Sequence, residues 1–161
     1  MRILRPRQAE QADGSGAWAR AGTEKGSCVI SLPGAPDQHF HPDGTPRGLV
    51  NAFVALVHTS RQHGPTELIP GSHIWQEGTF GPRPEWDEGT PTALLELSVG
   101  EVLLFDYRTY HRGCANTTDE PRPVGYLVYA RQGVSDTHNF PPHSLLQELE
   151  REQQCVRTAP F

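Results

Sequence analysis

Two histidines and one aspartate in this chain have the types and the spacing to hold a metal ion. His41 and Asp43 lie in Gln38-His39-Phe40-His41-Pro42-Asp43-Gly44, and His111 follows seventy residues after His41 in Tyr110-His111-Arg112-Gly113. If residues 38–43 run extended, successive side chains alternate faces, so His41 and Asp43 project to one side while Pro42 points away. Gly44 would then permit a turn. The third ligand must come from a separate strand, and His111 stands just after the apolar run Val102-Leu103-Leu104-Phe105, where such a strand would end. Two neutral imidazoles and a carboxylate that leave other coordination positions open suit iron(II), with nothing soft to favour copper(I) or a structural zinc. A lone H-x-D is weak, because such a tripeptide arises by chance and is usually a solvated turn. Its weight comes from the blocks around it.

Those blocks are ordered. Gln38 to Gly44 reads Q-x-x-H-x-D-G. Gly64-Pro65-Thr66-Glu67-Leu68-Ile69-Pro70-Gly71-Ser72-His73 follows, then H-x-G-x-x-N from His111 to Asn116, with Arg122 eleven residues after His111. From about Gln38 to Arg131 this arrangement resembles the phytanoyl-CoA dioxygenase family of iron(II)- and 2-oxoglutarate-dependent oxygenases. The resemblance implies a metal held by His41, Asp43 and His111. It makes Arg122 the anchor of the distal carboxylate of 2-oxoglutarate, a planar bidentate recognition that guanidinium provides better than ammonium. It also places Gln38 and Thr66 where they would hydrogen-bond the co-substrate. The reaction implied is oxidation of a C–H bond of a small organic substrate, usually hydroxylation, with release of succinate and CO2. Asp43 supplies the carboxylate that related halogenases lack, so oxidation rather than halogenation is expected.

Elements to position these residues can be read along the chain. Sixteen glycines and fifteen prolines in 161 residues, with few long helical patterns, favour a loop-rich β domain. The expected architecture is mainly β, a double-stranded β-helix of the jelly-roll, cupin-like type with few short helices. Ser27 to Leu32 reads as a strand entering the metal block. Leu49 to Thr59 is nearly continuous apolar sequence, suited to a central strand buried on both faces, with Asn51 and Phe53 sharing one of them. Thr66 to Ile69 reads as a short strand and Pro70-Gly71-Ser72-His73 as a turn closing the pocket. Ala93 to Leu97 and Glu101 to Tyr107 bracket Val99-Gly100 as a hairpin or consecutive strands, Asp106 and Arg108 are read as structural partners, and Val124 to Tyr129 forms another strand. Residues 75–91 make a long connection suited to a substrate lid or a surface excursion. His143 to Gln154 is a short amphipathic helix with Leu145, Leu146 and Leu149 on one face. By domains, residues 1–24 are a loosely tied lead-in, 25–140 the oxygenase core, and 141–161 a helix and tail.

Composition bounds the partners. A net charge of −5 gives no electrostatic reason to expect nucleic acid. Cys28, Cys114 and Cys155 are odd in number and lack C-x-x-C spacing, which fits free thiols in a reducing compartment. With no secretory apolar region and no apolar run of about 18 residues, a cytoplasmic protein without a membrane partner is expected. Two other classes stay open. His39 shares the face of His41, so a three-histidine cupin site that does not use 2-oxoglutarate is one alternative. A non-catalytic binding module on the same fold is the other.

Overall fold

In a computed structural model of the chain, the structure describes residues 2–4, 22–75 and 89–136. Eight strands are present there: β1 (Arg2–Leu4), β2 (Gly22–Ser31), β3 (Leu49–Ala55), β4 (Thr66–Leu68), β5 (Ala93–Leu95), β6 (Val102–Asp106), β7 (His111–Gly113) and β8 (Arg122–Ala130). They form a five-stranded sheet of order β1-β6-β3-β8-β2 and a three-stranded sheet of order β5-β4-β7, with every pairing antiparallel. The small sheet has a further edge. His41 pairs with His111 across an isolated bridge, and Gln38 N–H, Asn116 N–H and Asp43 N–H donate to the carbonyls of Gly113, Ala35 and Tyr107. Residues 35–43 therefore run antiparallel beside 107–116. From β3 on, the chain passes back and forth between the two sheets, the jelly roll expected from the sequence.

Period-two alternation explains the strands. In β8 the even-numbered residues Arg122, Val124, Tyr126, Val128 and Ala130 are buried, and the odd ones lie half out. Leu49, Asn51 and Ala55 of β3, with Leu103 and Phe105 of β6, likewise fill the space between the sheets. There Ala55, Leu68, Leu95, Leu97, Leu103 and Phe105 make one apolar cluster, and Leu49, Tyr107, Tyr126, Val128 and Ala130 another. Phe53 packs against both.

Several elements differ from the sequence reading. β2 begins at Gly22 rather than Ser27, and β3 stops at Ala55, because the backbone bends at Leu56 and Val57 instead of running extended to Thr59. Of the two readings of Ala93 to Tyr107, consecutive strands holds and the hairpin does not, since β5 pairs with β4 in the small sheet and β6 pairs with β3 and β1 in the large one. His111 accordingly does not end the apolar strand. After β6 the chain turns, held by Arg108, whose Nε and backbone N–H donate to Asp106 Oδ1 at 2.9 and 3.0 Å, and His111 opens β7 in the opposite sheet. Asp106 and Arg108 are the structural pair that was expected. Arg2–Leu4, within the stretch read as a lead-in, pair with β6. The expected helix 143–154, Cys155 and most of the 75–91 connection lie outside the described residues.

Candidate metal centre and its cavity

The geometry starts from local backbone devices. His41 Nδ1 lies 2.9 Å from the carbonyl of His39, and His111 Nδ1 lies 3.0 Å from the carbonyl of Thr109. A carbonyl only accepts, so each Nδ1 carries the proton and each Nε2 keeps its lone pair. Both rings use the residue two positions back in the chain. That device sets the tautomer a metal requires.

The ligating atoms of His41, Asp43 and His111 all lie within 4.8 Å of one another, and His111 Nε2 is 3.8 Å from Asp43 Oδ1. The two imidazole centroids are 4.8 Å apart. His111 is 4% exposed. Burial lowers its pKa, an effect that the nearby Asp43 charge opposes and His41 reinforces, so the ring stays neutral. Phe53 and Phe105 meet it edge-on at 5.8 and 4.9 Å. His39 is exposed, and its ring stands outside the three-residue group. It contributes its carbonyl oxygen to the site and not its imidazole.

Asp43 is held from the large sheet. Its Oδ2 accepts hydrogen bonds from Asn51 Nδ2 on β3 at 2.5 Å and from the Tyr126 hydroxyl on β8 at 3.0 Å. Burial and the negative charge of Asp43 raise the Tyr126 pKa well above the usual phenol value, keeping it a neutral donor. The turn expected at Gly44 is not a positive-φ one. Gly44 is there because a Cβ would stand 2.8 Å from the Tyr107 ring.

His41, Asp43, His111, Arg122, Gln38 and Thr66 all line one cavity of about 220 Å³. Arg122 opens β8 inside it, only 5% exposed, and donates through Nε to the His63 carbonyl at 3.4 Å. No carboxylate among the described residues pairs with it, and burial lowers its pKa from the ordinary guanidinium value. A buried cation without a counter-ion is costly, so the cavity is built to receive an anion. Gln38 Oε1 accepts the Gly113 N–H at 2.8 Å, which leaves the amide NH2 as the end that can donate. Glycine at 113 leaves these two side chains their room, since a Cβ there would meet Gln38 Oε1 at 3.0 Å and Arg122 at 3.4 Å.

The other motif residues brace this arrangement. Asn116 Nδ2 donates to the carbonyls of Ser31 and Glu120, and its Oδ1 accepts from Thr118 N–H and Oγ1, fixing the approach to Arg122. Pro70-Gly71-Ser72-His73 does not line the cavity. It leads into a 3-10 turn, Ser72–Ile74, and buried Ser72 Oγ accepts the Tyr110 N–H at 2.8 Å while donating to the Ile69 carbonyl at 2.7 Å. That bond sets the residue before His111. Glu67 accepts from Arg112 and Thr92, each at 2.7 Å, and these bonds lower its pKa against the raising effect of burial. Cys114 also lines the cavity. Burial and the charge of Glu67 push its thiol up to about 11, so it offers no thiolate.

A jelly-roll barrel with two histidines and a carboxylate gathered in its cavity defines a cupin-like fold with a candidate metal site. The sequence matches the phytanoyl-CoA dioxygenase (PhyH) family over residues 8–124, and the chain belongs to that family. It is similar to the protein named dioxygenase trt7 of Aspergillus terreus, 32% identical over 125 residues, covering 70% of this chain and 40% of that one. It is also similar to the Fe(II)/2-oxoglutarate-dependent dioxygenase nvfF of Aspergillus novofumigatus, 29% identical, covering 59% of this chain and 34% of the relative. The chain thus spans well under half the length of these curated relatives. Among solved structures, the fold resembles the epimerase SnoN in complex with Fe3+, alpha ketoglutarate and nogalamycin RO, with a TM-score of 0.61 at 23% identity, covering 76% of this chain and 57% of that one. Among the described residues no helix is long and apolar enough to cross a membrane.

Proposed function

We propose that this chain, with residues 25–140 as its core, is an iron(II)- and 2-oxoglutarate-dependent dioxygenase that oxidises a C–H bond of a small organic substrate. One observation carries the reading: a two-histidine, one-carboxylate set and a buried arginine with no carboxylate partner among the described residues open into the same cavity. The donor set fits iron(II), since both imidazoles are held as Nε2 donors, Asp43 supplies oxygen, and the one cysteine in the cavity wall stays a thiol. Iron(II), when bound, supplies the oxygen chemistry that couples decarboxylation of 2-oxoglutarate to succinate and CO2 with oxidation of the substrate.

The residues of this chain bind and orient. His41, Asp43 and His111 hold the metal. Arg122 pairs with the distal carboxylate of 2-oxoglutarate, offering parallel N–H donors in a setting that excludes water. Gln38 NH2 and the Thr66 hydroxyl supply further hydrogen bonds to the co-substrate. Val29 and Val124, with Phe53, give the cavity an apolar wall. Relatives named as dioxygenases, and a solved neighbour holding iron with alpha ketoglutarate, support the reading. Anaerobic titration of the iron(II)-loaded protein with 2-oxoglutarate tests it. A visible charge-transfer band should grow with co-substrate, and a substrate-library screen should then find succinate release. Absence of the band at saturating iron and 2-oxoglutarate would remove the proposal.

A further inference from the structure

The carboxylate of Asp43 has two oxygens, and the structure treats them differently. Oδ1 is the oxygen that faces the His111 ring, 3.8 Å from its Nε2. Oδ2 takes the hydrogen bonds from Asn51 and Tyr126. We infer that Asn51 and Tyr126 are positioning residues that occupy Oδ2, so that Asp43 meets the metal through Oδ1 alone. This inference rests on the proposed metal site.

Asp43 needs such a hold. It sits in an irregular segment, with its own N–H donating to the Tyr107 carbonyl at 3.2 Å. Asn51 and Tyr126, by contrast, come from the two adjacent central strands of the large sheet, where Asn51 stands opposite Val128 and Phe53 opposite Tyr126. Both side chains point inward from that ladder. Asn51 is fully buried, and its Oδ1 has no hydrogen-bond partner among the described residues. An apolar residue of similar size would avoid that orphaned atom, so the use of asparagine lies in the NH2 it aims at Asp43. Tyr126 packs edge-on against Phe53 at 5.1 Å, which leaves its hydroxyl little freedom.

The chemical consequence concerns open positions. A carboxylate ligating through both oxygens would take a coordination position that 2-oxoglutarate or dioxygen requires. Two donors on Oδ2 draw its lone pairs away from the metal, and outer hydrogen bonds of this type orient a ligand and tune its affinity. Asn51 and Tyr126 thereby act on how the metal is held.

The test uses cobalt(II) as a probe metal, because its visible spectrum reports coordination geometry without turnover. Wild type, Tyr126→Phe, Asn51→Leu, Asp43→Ala and the Asp43→Ala/Tyr126→Phe double variant are titrated with cobalt(II). Tyr126→Phe keeps the ring and its packing, so it decides the matter even where Asn51→Leu does not fold. Expected is a loss of cobalt(II) affinity of about tenfold to a hundredfold for Tyr126→Phe, with an altered visible band. In the Asp43→Ala background, Tyr126→Phe should cost nothing further, since its effect runs through that carboxylate. Unchanged affinity and band in Tyr126→Phe, or an equal loss with and without Asp43, would overturn the inference. Failure of wild type itself to bind cobalt(II) or iron(II) would instead overturn the metal site beneath it.

Discussion

His41 and His111 exchange both backbone hydrogen bonds, His41 N–H to the His111 carbonyl at 3.0 Å and His111 N–H to the His41 carbonyl at 2.9 Å. Two residues seventy apart in sequence are thereby set directly opposite one another, and their rings stand 4.8 Å apart at a tilt of 44°. Each then fixes its own ring through a carbonyl two residues back. Two candidate nitrogen ligands thus follow from a single bridge.

Removing a ligand should therefore abolish the site without dismantling the barrel. His41→Ala, Asp43→Ala and His111→Ala are each expected to lose most iron(II) affinity and all coupled turnover. His39→Ala should retain both, because the hydrogen bond to His41 uses the His39 backbone carbonyl, which alanine also carries. Metal titration by competition with a chelator checks this. Loss of binding in His39→Ala with retention in Asp43→Ala would restore the three-histidine alternative.

Arg122→Leu should leave iron(II) binding nearly intact and weaken 2-oxoglutarate severely. Truncating one partner of a desolvated charge pair costs about 2–5 kcal/mol, roughly thirty- to several-thousand-fold in affinity. Arg122→Lys should recover only part, since an ammonium cannot make the two parallel bonds. The anaerobic charge-transfer titration reads both variants. Equal curves for wild type and Arg122→Leu would take the arginine out of the site.

Gly113→Ala is a subtler probe of the same pocket. The new Cβ would press on Gln38 Oε1 and Arg122 together, and overpacking of this kind costs about 1–3 kcal/mol. The expected result is weaker 2-oxoglutarate binding at unchanged iron(II) affinity. A variant that lost metal first would show that the glycine serves the fold and not the pocket.

Acid should weaken the metal-free fold in two separate windows. His111 has a folded pKa below its reference of about 6.5, so below that pH the unfolded chain binds a proton that the folded one refuses. Stability then falls as pH falls, by up to about 1.4 kcal/mol per pH unit for this one group. Glu67 and Asp106 have lowered folded values, because hydrogen bonds and charge from Arg112 and Arg108 outweigh the raising effect of burial. Their contribution is present above about 4.5 and 3.8, their reference values, and is lost as pH drops through the folded ones. Denaturant melts of wild type and His111→Gln from pH 7 to 3 test the assignment. The upper window should flatten in the variant and the lower one persist, and an unchanged upper window would exclude His111 as its source.

Ser72→Ala removes the acceptor of the buried Tyr110 N–H. An unsatisfied buried donor costs about 1–3 kcal/mol. A lower thermal transition at normal metal stoichiometry is expected, and a loss of metal without a loss of stability would contradict the bracing role.

Much of this was legible because the residues that converge on the cavity sit in short, ordered blocks. His41, Asp43, His111, Arg122, Gln38 and Thr66 could all be named from the sequence, and the structure gathers all six in one cavity. What sequence could not supply was pairing at a distance. Asn51 stood out as a polar residue inside an apolar strand, yet its partner is visible only once β3 and β8 fix the register that sets Asn51 and Tyr126 above Asp43. The same limit left the strands from Ala93 to Tyr107 open between a hairpin and consecutive strands in different sheets. Local apolar runs say that strands exist, and which sheet each joins depends on contacts far along the chain. The full roles of Gly44 and Ser72 were hidden for a related reason, because each answers to a residue, Tyr107 or Tyr110, more than thirty positions away.

Residues 35–43 are tied on one side to the small sheet through their backbone and on the other to the large sheet through the side chain of Asp43. An ion seated among His41, Asp43 and His111 would stitch residues 35–43 to β7 and would hold still the carboxylate on which Asn51 and Tyr126 of the large sheet close. Folding stability then becomes a function of free metal, rising by about 2.7 kcal/mol when the metal stands at a hundred times its dissociation constant. Chelators would then end the chemistry and loosen the mouth of the barrel together, and the metal content of a preparation would set how firmly residues 35–43 stay seated.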